Sequence, residues 1–330
     1  MRALVIAVSM LLAPPAVADA PDIKAIVEAH VIAGYDILVR HAEDLQATAT
    51  QHCEPDHPAL RTAYHSAFDA WVGVSHLRFG PSERENRAFA LAFWPDPRGS
   101  TPKALAALIQ DEDPAVFDVE AFSTVSIAAR GFYALEFLLF DPRFVSAENR
   151  DYHCALVQAV TSDIALNASA ILEEWERGYG ERMFSAGNDT YRTPTEAAQQ
   201  LFTSLATGLE FTSQTRLGRP LGTFERPRPN RAEARRSKRS LRHVILALEA
   251  MQGLAAAISN GNESLDLAFQ ATLERAQGLD DPVFASVSKP QGHFKVEVLQ
   301  QNIETIRDIL AQDVGPSLGI AAGFNSLDGD

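Results

Sequence analysis

Apolar side chains recur at intervals of three and four along nearly the whole chain, the period of an amphipathic α-helix. Ile26, Val27, Val31, Ile37, Leu38 and Leu45 mark one helix over Ile23 to Gln51. Tyr64, Phe68, Trp71, Val72 and Leu77 mark a second over Leu60 to Phe79. The same spacing predicts helices over 118–140, 151–179, 193–217, 231–258, 262–278 and 293–311. Thr193-Pro194-Thr195-Glu196 carries the residues of a helix start, with proline where its missing N–H costs nothing and an acid in the first turn. Alternating runs bounded by turns are almost absent, so the pattern predicts an all-α protein. Two stretches interrupt it. Phe93 to Pro102 is too rich in proline for a helix, and Gly218 to Asn230 breaks the chain near its two-thirds point.

One segment does not fit a simple two-faced helix. Around Glu136 stand Ala128, Ala129, Phe132, Leu135, Phe137, Leu138, Leu139 and Phe140. A helix apolar on every side is buried, and a buried glutamate needs a counter-ion, a metal or a raised pKa. Tyr133 lies three residues earlier and therefore on the same face. Gly131 costs about 1 kcal/mol inside a helix and admits a close neighbour. The plain reading is a glutamate held by an arginine from another helix. The sharper one is a functional site. Partners are at hand in Glu233-Ala234-Arg235-Arg236-Ser237-Lys238-Arg239-Ser240-Leu241-Arg242-His243. Read as a helix, this run places Arg235, Arg239 and Arg242 on one stripe and Arg236 and Ser240 on another. Its plain reading is a solvated basic face.

Charge narrows the function classes. The chain carries 43 acidic and 29 basic side chains, a formal charge of −14, which argues against a nucleic-acid binder. The nine histidines include no HExxH pair, and no GxSxG, Walker loop or dinucleotide fingerprint occurs. Arg78, just before the helix-stopping Gly80-Pro81, has a plain role as a complement to the helix dipole. A short echo, Tyr133-Ala134-Leu135-Glu136 against Leu246-Ala247-Leu248-Glu249, with Arg130 and His243 each six residues before the glutamate, fits two related halves.

The start of the chain changes the compartment. Arg2, an apolar run from Ala3 to Ala13 and small residues after it form a secretory signal peptide, cut after Ala18 or after Ala20. The run is too short to cross a bilayer, which takes about 20 residues. The expectation is a periplasmic chain with no transmembrane segment after cleavage. Its two cysteines, Cys53 and Cys154, then read as one disulfide, against the alternative of two buried thiols.

Taken together, Gly131-Phe132-Tyr133-Ala134-Leu135-Glu136 with Phe137 to Phe140 resembles the GxHxxE signature of imelysin-like proteins. Arg78-Phe79-Gly80-Pro81, Arg236-Ser237 with Ser240-Leu241, and the ending Gly323 to Asp330 support the resemblance, which covers essentially the whole mature chain. Cys53 and Cys154 also sit where such proteins often carry a cysteine pair. The resemblance implies two helical-bundle halves related by pseudo-twofold symmetry, here 19–180 and 181–330 after a signal peptide 1–18, with a site at their interface. It implies a periplasmic or envelope-associated role in iron or haem acquisition, with an envelope iron-uptake partner. The site residues it suggests are Gly131, Tyr133, Glu136, Arg78, Trp94, Arg236, Ser237 and Ser240. Some family members are classed as metallopeptidases. Here Tyr133 stands at the motif histidine, and a zinc hydrolase needs about three protein ligands plus an open position. A non-catalytic binding protein is therefore the main expectation. The alternatives are a metallopeptidase with a degenerate site and a structural, partner-binding envelope protein in which Glu136 only locks two bundles. Metal at Tyr133 and Glu136, iron or another divalent ion, stays open beside a metal-free pocket, and so does the identity of any small ligand.

Overall fold

A computed structural model describes residues 20–146 and 149–320. The expected signal peptide and the Gly323 to Asp330 ending lie outside the described residues. Among the described residues there is no β-strand, only an isolated bridge between Thr223 and Arg226, and the protein is all-α. Among the described residues nine principal helices carry the fold. Helix α1, residues 23–51, runs from Ile23–Ile26 through a π-helical stretch Val27–Ile32 into Ala33–Gln51. Then come α2 (Pro58–Val74), α3 (Ser100–Asp111) and α4 (Gly131–Phe140). Helix α5 spans Arg150–Phe184, with a π-helical stretch at Trp175–Tyr179. Helix α6, residues 194–221, joins Pro194–Glu210, the π-helical Phe211–Leu217 and Gly218–Leu221. Helices α7 (Ser240–Ile258) and α8 (Glu263–Gln277) follow. Helix α9, residues 290–317, opens as Pro290–Ile309 and widens at Leu310–Val314.

The helix starts are chemically marked. Thr193 caps α6 by accepting from the Glu196 N–H at 3.2 Å, and Glu196 Oε2 accepts from the Arg192 N–H at 2.7 Å. Each bond satisfies an N–H that would otherwise lack a partner at the helix end. Asp22, Asn149 and Asn262 cap their helices the same way.

Three departures from the sequence pattern matter. The expected helix over 118–140 is broken into Val119–Ser123, a short turn Ile127–Ala129 and α4. Gly131 does not sit inside a helix but opens one, at φ +73°. A Cβ there would lie 2.1 Å from the Ala90 carbonyl oxygen and 2.3 Å from that of Leu91, so only glycine fits. The expected helix over 231–258 begins only at Ser240; Ala234 and Lys238 adopt left-handed φ values of +44° and +60°, so residues 232–239 form tight turns. The arginine stripes read from a helical run therefore do not exist. Helix α3 was not expected from the pattern: it begins at Ser100, inside the stretch read as too proline-rich for a helix, with Pro102 in its first turn, where a missing N–H is tolerated.

Helices α1, α2, α4 and α5 pack on one another, and α6, α7, α8 and α9 form a second mutually packed group; α2 against α7 joins them. The core is continuous across this junction. Glu249 is exposed whereas Glu136 is buried, so the four-residue echo does not bring two equivalent carboxylates into the core. Cys53 and Cys154 form the disulfide, Cα atoms 5.1 Å apart, tying the end of α1 to the start of α5. Closing a loop of that length typically stabilises a domain by about 2–5 kcal/mol. Helices α5 and α7 are long and apolar enough to span a membrane by composition, but half of the apolar window of each is buried in the bundles.

Candidate functional site

Two buried carboxylates meet at the junction of the helix groups. Glu136 comes from α4, whose other side chains are almost all core. Its Oε1 accepts from the backbone N–H of Ser237 at 2.9 Å and from the Ser237 hydroxyl at 2.8 Å. The left-handed turns at Ala234 and Lys238 flank the serine that makes these bonds. Arg236 stands farther off, its Nη1 4.0 Å from Glu136 Oε2. That guanidinium lies over the Phe137 ring at 3.7 Å and donates through Nε to Asp141 at 2.8 Å. Burial therefore dominates and raises the Glu136 pKa, with the Ser237 hydrogen bonds opposing it.

Glu233, in the turn before α7, is buried as deeply but differently served. Its Oε2 accepts from Arg216 Nε at 2.8 Å, and His243 Nδ1 lies 3.5 Å away. The Tyr133 hydroxyl donates to Oε1 in a short hydrogen bond. Burial, the largest single influence, pushes this carboxyl up, but Arg216, His243 and Tyr133 together outweigh it and hold the pKa down to about 2. Arg216 comes from the π-helical part of α6 and also donates to Thr212 and Ser75. The Tyr133 phenol moves the opposite way: burial, then the negative charge of Glu233, push its pKa well above the usual range.

Beside this network a cavity of about 410 Å³ opens. Trp71, Trp94, Tyr133 and Phe211 form its aromatic walls, and Ser75, His76, Arg78, Gln200, Thr203, Thr207, Arg216 and Glu233 its polar ones. Gly208 of α6 lets three elements converge: a Cβ there would meet His76 Cβ at 2.7 Å and Met251 Sδ at 2.8 Å. His76 pairs with His30, their Nε2 atoms 3.0 Å apart. Burial pushes the His30 pKa down to about 4 and that of His76 well below its ordinary value, so both rings are neutral at pH 7.

Of the positions singled out by sequence, Arg78, Trp94 and Tyr133 line the cavity. Arg78 is half exposed, bound to Glu83 at 2.5 Å and laid over Phe89. Glu136, Arg236 and Ser237 form the adjoining network rather than the cavity wall. Ser240 starts α7 and donates its hydroxyl to the Glu233 carbonyl, and Gly131 serves the close approach described above. Sequence reasoning missed Glu233, Arg216, His76 and His30 as site residues. Glu233 had one signal, as the only acid opening a basic run.

This is a purely helical protein whose two groups of helices enclose a carboxylate-bearing cavity at their junction. The imelysin family model (peptidase family M75) matches residues 31–310, and the chain belongs to that family. The fold is similar to that of an imelysin-like protein from Psychrobacter arcticum 273-4, with a TM-score of 0.76 and 18% identity over 92% of this chain and 96% of that one. It is also similar to a protein assigned as an iron-regulated protein A precursor from Parabacteroides distasonis ATCC 8503, with a TM-score of 0.70 and 12% identity over 87% of this chain and 92% of the other. No curated protein matches the chain significantly.

The family's peptidase designation raises a catalytic metal, which these residues do not fit. Glu136 Oε1 is already filled by two donors, and the Tyr133 hydroxyl donates its hydrogen bond to Glu233. Among the described residues no three His, Cys, Asp or Glu side chains are grouped to hold a metal ion.

Proposed function

We propose that this imelysin-family chain is an exported, periplasmic ligand-binding protein that supports iron or haem acquisition through the cavity between its helix groups. Hydrolysis is not part of the role. The observation that carries this reading is the commitment of both carboxylates. Arg216 and Tyr133 occupy both oxygens of Glu233, and Glu136, bound through Oε1 to Ser237, stands outside the cavity wall, so neither is placed to activate a water molecule in the cavity. What is left is a preformed aromatic cavity with fixed polar walls, the usual form of a small-molecule site. Tyr133 at the motif histidine fits the same role, since it supplies a ring and a hydrogen bond instead of a metal ligand. The iron-regulated designation of a structural relative supports the iron link. Iron in this reading is cargo, carried on or with a ligand.

The test is growth of a deletion strain in iron-limited and iron-replete medium, with the purified protein assayed on casein in parallel. The expected result is a growth defect confined to iron limitation, restored by the wild-type chain, and no proteolysis. Equal growth in both media, or proteolysis abolished by a chelator, overturns the proposal.

A further inference from the structure

We infer that the face made by the 222–231 turn and residues 288–295 at the start of α9 docks on an anionic phospholipid surface, with Phe224 and Phe294 entering the headgroup boundary. This goes beyond the cavity and does not depend on what the cavity binds. The Thr223 carbonyl accepts from the Arg226 N–H at 3.0 Å, which lifts Phe224 and Glu225 to the tip of the turn. The Arg228 N–H donates to the Pro220 carbonyl at 2.8 Å and anchors the turn to the end of α6. The Phe224 ring meets that of His293 edge-on at 5.4 Å, so the tip stands beside α9, where Phe294 and Lys295 follow. Pro229–Arg231 packs on Ala285–Ser288, just before Lys289.

Two features select the partner. Phe224 is 60% exposed and Phe294 64%. A ring at the tip of a turn suits a fluid boundary, which closes around it without a preformed pocket, and apolar area buried there adds to the attraction of cations for anionic lipid. The cations are present. Arg226, Arg228, Arg231, Lys289 and Lys295 are all exposed, and among the described residues none of them makes an ion pair. Glu225 is the one acid in the two segments. Asp280, Asp281 and Glu297 border them, and Asp281 is engaged by the N–H groups of Ala285 and Ser286. In a chain of net charge −14 this is a local inversion of sign, complementary to an anionic surface. Phe117 gives the contrast within the molecule. It is 71% exposed, yet its neighbours along the chain are Asp113, Asp118 and Glu120, which such a surface repels.

The experiment mixes the full mature chain with vesicles of phosphatidylcholine alone, or of phosphatidylcholine and phosphatidylglycerol in equal parts, and reads the bound fraction by sedimentation. Binding to the mixed vesicles should be about 10-fold tighter or more than to the neutral ones, and should weaken by about as much in high salt. Phe224→Ser combined with Phe294→Ser should weaken it about 10-fold. Both side chains already face water, so the melting temperature should match wild type. Arg226→Gln combined with Arg228→Gln should also weaken it, by about fivefold for each charge near the surface. Phe117→Ser should bind like wild type. In Phe224→Trp, bromine-labelled acyl chains should quench the added indole. Soluble poly-glutamate stands in for an acidic protein partner. Equal binding to neutral and mixed vesicles, no binding to either, the paired serine variant binding like wild type, no quenching, or poly-glutamate bound as tightly as the mixed vesicles overturns the inference. None of these outcomes bears on the iron-limited growth test, which reads the cavity.

Discussion

Glu136 and Glu233 are equally buried, 2% exposed each, yet their surroundings drive their acidity in opposite directions. Glu136 meets neutral donors, the N–H and hydroxyl of Ser237, and its nearest cation is engaged with Asp141. Glu233 meets a guanidinium at hydrogen-bond distance. Burial therefore wins at the first and ion pairing at the second. Depth alone does not decide whether a core carboxylate is charged; the first full charge within reach does.

The largest way to break this contrast is Glu233→Gln. It leaves Arg216 buried without a counter-ion, and the expected loss is about 3–5 kcal/mol in urea or thermal unfolding. Adding Arg216→Met should recover much of it, because the stranded charge goes too. A loss near zero for the single variant would mean that Glu233 is not the charged member of the pair.

Tyr133→Phe comes next. It removes a hydrogen bond to a charged acceptor, and a stability loss of about 1.5–3 kcal/mol is expected. The same change should leave the ring stacking on Trp94 intact, so near-ultraviolet circular dichroism of the folded variant should stay close to wild type.

Glu136→Gln should be the mildest, under about 1 kcal/mol at mildly acidic pH, because an amide oxygen still accepts both Ser237 bonds. Its pH dependence carries the contrast. A carboxyl whose folded pKa is raised binds its proton more tightly in the native state, so its ionisation weakens the wild type as pH rises past the unfolded value near 4.5. Stability of Glu136→Gln relative to wild type should therefore increase with pH over that window. Glu233 has the reverse sign. Held near 2 when folded, it contributes stability present above about 4.5 that is lost as pH falls toward 2. Denaturation midpoints of the two variants between pH 3 and 8, on the order of the window set by these pKa values, read both slopes. Parallel curves would dissolve the distinction.

Much of the architecture was legible because helical period is a local signal. Thr193-Pro194-Thr195-Glu196 marked a helix start that the caps bear out, and Cys53 and Cys154 marked the disulfide. Glu136 was also legible, since an acid surrounded by Leu and Phe states its own problem. Glu233 was not, because its neighbours in sequence are arginines that read as a solvated face; its real surroundings are Tyr133 and Arg216, from two other places in the chain, and His243 at the far end of the same run. The 231–258 error has a similar cause. Alanine and lysine are good helix formers, and the partners that the turns at Ala234 and Lys238 bind, Glu136 among them, lie far away in the sequence. Helix α3 was hidden by the prolines before it and by Pro102 in its own first turn.

The π-helical stretches have a consequence for how the site is inherited. One extra residue in a helical turn rotates everything beyond it by about 100°. The stretch Phe211–Leu217 supplies both Phe211 and Arg216, and Val27–Ile32 supplies His30. These side chains reach the junction by phase, set by a single added residue, as well as by identity. A relative that conserves every letter but lacks that residue would turn the same arginine onto another face. Comparison within the family therefore needs one-residue gaps inside helices, where alignments usually forbid them, and such a gap would mark the gain or loss of the cavity's chemistry more sharply than any substitution.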